Sequence, residues 1–154
     1  MIKKLIDRSA LVIFFILAIG ILLVQTSATA RDLLIEIDEN KLFEYVNNYR
    51  RENDLPLFTK SKKSCEMASF RLKRVATDFS HDGFSVLAKN ENLHEFELVG
   101  ENLARFGIDT FNEQEMMLAW IKSPLHNKNL VNPVFTDSCI KCSGGTCVHI
   151  FGGY

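Results

Sequence analysis

Helical spacing of apolar residues dominates the middle of the chain and gives way to short strand-like runs near its end. Leu42, Tyr45, Val46 and Tyr49 fall at i, i+3, i+4 and i+7, one face of a helix. That stripe predicts a helix over 38–52, with Asp38 and Glu39 at the end that favours negative charge. It should stop at "NDLP", because Leu55 precedes a proline and is pushed out of helical geometry. A second helix is expected over 60–78, with Cys65, Ala68, Leu72, Val75, Ala76 and Phe79 on one face. Lys62, Lys63, Lys73 and Arg74 lie largely off that face and read as solvated surface. "TFNEQEMMLAW" marks a third helix: Asn112 can cap it, Glu115 can reach back, and Phe111 can pack on Met116 as a hydrophobic staple. Met117, Trp120 and Ile121 then face the core, and the helix stops near Ser123, before Pro124. "FTDSCIKC" and "TCVHIFGGY", joined by "SGG", read as a terminal hairpin. "LVGENLAR" is ambiguous, with a third strand as one reading. The class is α+β, helices packed on a small antiparallel sheet.

The first thirty residues follow a different pattern. Lys3, Lys4 and Arg8 precede an apolar run from Ala10 to Val24, and "ATA" at 28–30 offers small residues for cleavage. That is the layout of a secretory signal peptide, with the mature chain starting at Arg31. The alternative is a retained anchor, since residues 9–30 carry no charge and about 20 residues span a bilayer. Either way the basic residues stay inside and the rest of the chain lies outside the cytoplasm, secreted or anchored to the outer face. The membrane is a partner only through residues 9–30, if they are kept. Residues 31–37 read as a short tether, and 38–154 as one domain with a single core.

Charge and cysteine content narrow the field. Without residues 1–30 the formal charge is about −3, and no basic stripe appears, which argues against nucleic acid as a partner. Cys65, Cys139, Cys142 and Cys147 are an even set in an exported domain, which argues for two disulfides. Cys142 and Cys147 flank "SGGT" and can face each other across the hairpin. Cys65 to Cys139 would then pin helix to sheet. Three connectivities are open to four cysteines, and "CIKCSGGTCVH" also offers a metal knuckle as a rival reading.

Three polar stretches carry the candidate chemistry. "SHDGF", "GENLA" and "SPLHNKNL" each place one titratable side chain beside Gly, Asn or Pro: His81, Glu101 and His126. All three stretches read as loops. Neutral imidazole is a common ligand of zinc and related metals. Two histidines and a carboxylate form the ligand set of some catalytic zinc sites. Spacings of 20 and 25 residues are not a local metal motif, so only the fold can unite these groups. In the plainer alternative, His81 caps a loop, Glu101 binds backbone amides and His126 orders the segment after Pro124. Ser123 lies three residues from His126 but before Pro124, and Ser80 adjoins His81, so neither is an evident nucleophile. Asn102, Asn127 and Asn129 read as turn formers. His94 reads as surface and His149 as an outward strand residue.

The order "NNYRRENDLPLF", "SHDGF", "GENLA", "AWIKSPLHNKNLVNPVFTDSCI" and "CVHIFGGY" resembles the CAP superfamily, in particular its short secreted bacterial branch. That superfamily holds cysteine-rich secretory, antigen-five and pathogenesis-related proteins. The likeness covers about residues 38–154. It implies an α-β-α sandwich with a central cleft into which His81, Glu101 and His126 point. Many members carry a second glutamate three residues after the tryptophan; here that position is Ser123, which leaves the four-residue set incomplete. The resemblance implies a non-enzymatic extracellular module for a lipid, wall component, peptide or partner protein. No cofactor is required, though His81 and His126 could hold a divalent cation such as zinc. The alternative is a metal-assisted, peptidase-like hydrolase using the same cleft. A purely structural surface protein is a weaker third reading.

Overall fold

The computed structural model describes residues 37–89, 96–106 and 112–154. The leader or anchor, all of the tether but residue 37, His94 and Phe111 lie outside the described residues. Helix α1 runs Glu39–Glu52, capped by Asp38, whose carboxylate accepts the N–H groups of Asn40 and Lys41. Its buried face is Leu42, Val46 and Arg50. Asp54 takes the left-handed conformation, φ 56°, so the chain has already left the helix before Leu55 and Pro56.

Helix α2 runs Lys62–Val75 behind a Ser61 cap, shorter at both ends than its pattern suggested. Its buried face is Ser64, Met67, Ala68, Arg71 and Val75. The expected stripe is therefore offset by about one position. Ala76 and Phe79 fall beyond the helix and are exposed, while Arg71 occupies the centre of the inner face.

"SHDGF" and "SPLHNKNL" form helices rather than loops. Helix α3 runs Asp82–Ala88. Helix α5 runs Pro124–Leu130, directly after α4 at Glu113–Lys122. Pro124 sits in the first turn of α5, where its missing N–H costs nothing and its fixed φ suits the helix. Asn112 accepts the Glu115 N–H at 3.0 Å and so caps α4.

"LVGENLAR" is strand β1, Leu98–Arg105. The hairpin pairs β2, Asp137–Ser143, with β3, Thr146–Gly153. Gly144 and Gly145 both take positive φ, the two-residue turn that matches strand twist. The sheet is antiparallel in the order β1-β3-β2, so β3 is central. Exposed edges invite other chains, and here the β2 edge is covered. The Cys142 N–H donates to Glu39 Oε1 at 2.9 Å, and the Ser138 N–H donates to the Thr59 carbonyl at 2.9 Å.

Alternation along the strands sends side chains to two cores. Leu103, Cys139, Val148 and Ile150 pack with Met67, Ala68 and Val75 of α2. Ala104, Ile140, Cys147 and Phe151 pack with Leu42 and Val46 of α1, Met116 and Trp120 of α4, and Leu130 of α5. The result is an α+β domain with helix layers on both faces of the sheet. Cys65 is bonded to Cys139, joining α2 to β2, and Cys142 to Cys147 across the hairpin. All four sulfurs are used, which rules out the knuckle reading.

His149 corrects an expectation. It is fully buried, its ring centroid 5.3 Å from that of Trp120 and 3.9 Å from that of Phe151. Strand β3 is covered on both faces, so no outward side exists for it to take.

Candidate functional site

His81, Glu101 and His126 come from three elements. His81 precedes α3, Glu101 lies in β1, and His126 is on α5. The two imidazole centroids are 6.2 Å apart. His81 Nδ1 is 3.0 Å from Glu101 Oε1. A carboxylate only accepts, so Nδ1 carries the proton and the Nε2 lone pair is left outward-facing in the neutral ring. The His81 side chain is 56% exposed and the Glu101 side chain 1%. Solvent thus reaches one imidazole while its carboxylate partner is sealed behind it.

Arg71 holds that carboxylate. Its Nε donates to Glu101 Oε2 at 2.5 Å and its second terminal nitrogen to Oε1 at 3.1 Å. The same nitrogen donates to the Ser80 carbonyl at 2.8 Å, just before His81. A two-pronged guanidinium–carboxylate contact fixes angle as well as distance. Gly83 completes the fit: a Cβ there would lie 2.5 Å from an Arg71 terminal nitrogen.

Sequence reasoning passed over Arg71, although a signal existed. It lies three residues after Ala68 and four before Val75, on the apolar stripe of α2, where an unpaired charge would be costly.

Side-chain amides anchor α5. Asn102 donates to the His126 carbonyl at 3.0 Å, and Asn129 to Asn102 Oδ1 at 2.9 Å. The Tyr49 hydroxyl donates to Asn127 Oδ1 at 3.0 Å, reaching α5 from α1. These asparagines clamp elements together, a longer reach than turn formation. Burial pushes the His126 pKa down, and the neighbouring His81 adds to the shift. His126 therefore stays neutral at pH 7.

Ser123 ends α4 and starts α5, and its hydroxyl makes no cap bond to α5. The Ser80 hydroxyl donates to Asp78 at 3.2 Å. Neither serine is bonded to an imidazole among the described residues.

A catalytic zinc ion takes three protein ligands, so His81, His126 and Glu101 would all have to serve. Both Glu101 oxygens are engaged by Arg71 and His81. Among the described residues no group of three His, Cys, Asp or Glu side chains is placed to hold a metal. Surface concavities among the described residues lie elsewhere. One of about 450 Å³ is at Ile37–Asn40 and Cys142, and one of about 220 Å³ is beside Leu72, Ala76 and Thr146.

Among known proteins, the family model described as "CAP: Cysteine-rich secretory protein family" matches residues 43–148. A cysteine-rich secretory protein from Staphylococcus aureus subsp. aureus Mu50 superposes with TM-score 0.66 at 15% identity over 75% of this chain and 38% of that one. An extracellular protein containing a SCP domain from Bacillus anthracis str. Ames gives 0.65 at 24% identity over 75% and 40%. An outer surface protein from Borrelia burgdorferi gives 0.62 at 18% identity over 74% and 90%. The chain thus spans about two-fifths of the first two. No curated protein sequence matches it. No helix among the described residues is long and apolar enough to cross a membrane.

Proposed function

The chain belongs to the CAP, or cysteine-rich secretory protein, family, and from that premise we propose that it works outside the cytoplasm as a non-enzymatic binding module. The ligand meets the protein at the imidazole pair, His81 and His126. The observation that carries this reading is the 6.2 Å approach of two imidazoles over a buried carboxylate, with His81 fixed and half-exposed. Extracellular and outer-surface descriptions of the structural neighbours agree with the location.

An amphiphile suits the surroundings. His81 leads into α3 and His126 lies on α5. Those two helices also carry the most exposed large apolar residues among those described, Val86 at 66% and Leu125 at 78%. A polar headgroup would hydrogen-bond to the imidazole pair, donating to the His81 Nε2 lone pair or accepting from the His126 N–H, while an apolar part covers such side chains. Zinc would meet two nitrogens and a carboxylate already committed, so the proposal assigns it no step.

The test is a histidine-resolved NMR titration of the exported chain. Short-chain phosphatidylcholine, wall-derived glycopeptides and short peptides are added in turn, to the parent and to His81→Ala/His126→Ala. The expected result is a ligand that shifts both imidazoles and loses at least tenfold in affinity in the double variant. Equal binding by parent and variant would refute the site. Hydrolysis of an added peptide that vanishes in His81→Ala would replace the binding reading with the hydrolase.

A further inference from the structure

His149 is the chemistry-bearing residue that the imidazole pair does not use. Its ring is fully buried on the α1/α4/α5 side of the sheet, among Phe58, Trp120 and Phe151. Among the described residues neither ring nitrogen has a hydrogen-bond partner, and neither does Trp120 Nε1. A neutral imidazole tolerates this at some cost. An imidazolium would lose its hydration as well.

The charges around it oppose protonation. From α1, Arg50 sits 3.7 Å over the Phe58 ring, fully buried. Among the described residues Arg50 binds only carbonyls, those of Pro56, Leu130, Asn132 and Phe135, and no carboxylate there offsets it. The cross-strand neighbours of His149 are Asn102 and Ile140, both uncharged. Alternation turns Glu101 and Asp137 to the other face. On α4 the facing residue is Trp120, and Glu113 in its first turn is held by Lys41 and the Asp38 N–H. On α5 the titrating groups are His126 and the exposed Lys128.

We propose that His149 is an acid-operated latch: when it takes up a proton, the α1/α4/α5 layer leaves the sheet and His126 parts from His81. The two faces are unequally secured. Cys65–Cys139 ties α2 to β2, and among the described residues no disulfide ties α1, α4 or α5 to the sheet. His81 belongs to the α2 side, since Phe84 and Leu87 of α3 pack there, and His126 belongs to the other. Opening one layer therefore divides the pair. That consequence for ligand release rests on the binding reading above; the latch itself does not.

The direction follows from linkage. Burial first, and then Arg50, hold the His149 pKa well below its usual value in the folded chain. The unfolded chain binds the proton near pH 6.5. Stability is thus complete above that pH and falls below it, by up to about tenfold in the folding constant per pH unit.

Trp120 is the single tryptophan and lies against His149, so its fluorescence reports the latch. The experiment measures denaturant unfolding of the exported chain at pH 7.5, 6.5, 5.5 and 4.5, for the parent, His149→Phe and His149→Gln. Amide exchange of the parent is followed at pH 7.5 and 5. Below pH 6.5 the parent should lose about tenfold more per pH unit than either variant. Helices α1, α4 and α5 should lose protection before α2. An identical pH slope in parent and variants would assign the effect to His126 or the carboxylates and overturn the latch. Loss of α2 protection first would overturn it too. Should neither variant fold, NMR of His149 in the parent decides. Protonation near pH 6.5 with α1 and α4 still protected would refute the proposal. No arm uses a ligand, so failure of the binding reading leaves the outcome unchanged.

Discussion

On the α2 side of the sheet, a disulfide and an ion pair secure the layer: Cys65 to Cys139, and Arg71 to Glu101. On the α1/α4/α5 side, the layer is secured by aromatic packing, by an arginine bound to four carbonyls, by asparagine clamps and by a partly exposed Lys141–Glu39 ion pair between β2 and α1. Both sides bury an arginine completely, yet the two guanidiniums differ in partner. Arg71 meets a carboxylate and so aims a histidine toward solvent. Arg50 meets carbonyls of Pro56 after α1, of Leu130 at the end of α5 and of the segment that follows it, and so closes loops. Burial lowers its pKa to about 10, still far above neutrality. A buried charge opposed by charge sets up a site; one opposed by backbone dipoles holds chain segments together.

Three perturbations sharpen that contrast. Replacing Cys65 and Cys139 by alanine reopens a loop spanning 74 residues, and the chain-entropy relation gives about 4.5 kcal/mol of lost stability. Denaturant unfolding should show that loss, with amide exchange now fastest on the α2 side. A change under about 1 kcal/mol would mean the disulfide does not distinguish the faces.

Trp120→Ala should cost roughly 3–5 kcal/mol, because the side chain is wholly enclosed between α4 and the sheet. Here the exchange pattern should move the opposite way, with α1 and α4 opening first. A melting temperature equal to the parent's would remove the core role assigned to α4.

The smallest net effect belongs to the ion pair. Arg71→Met alone should cost about 3–5 kcal/mol, since it strands a buried carboxylate. The double change Arg71→Met/Glu101→Leu should return to within about 1 kcal/mol of the parent, because an apolar pair avoids desolvating charge. His81 loses its aim in both, readable as a changed Nδ1/Nε2 tautomer ratio by NMR. A double variant as unstable as the single would show that the pair is there for stability instead.

How much of this was readable in advance depends on length and partner. Helices α1 and α4 carry several turns of periodicity and an Asp or Asn cap, and the Gly144–Gly145 pair marks its turn by composition alone. Helices α3 and α5 have seven residues each, too few to show a period against Gly83 and Pro124. The motif residues His81, Glu101 and His126 could be named from their surroundings, but their separation could not. Arg50, Arg71 and His149 were misplaced or overlooked because polar side chains default to solvent when no partner is visible. Their partners lie far off in the chain: Arg71 meets Glu101 thirty residues on, and Arg50 meets Leu130 eighty residues on.

The strand order has a consequence for how the chain acquires its fold. The middle strand, β3, is the last of the three in chain order. While synthesis or export proceeds from the amino end, β1 has no neighbour to pair with, and β2 would be an edge without a sheet. The hairpin turn brings β3 onto β2 within microseconds of its arrival. Pairing with β1, which starts 48 residues before β3, needs a much larger loop to close and follows later. Folding should therefore wait for Thr146–Gly153 and then complete as one event, which would keep the chain threadable until that strand has passed.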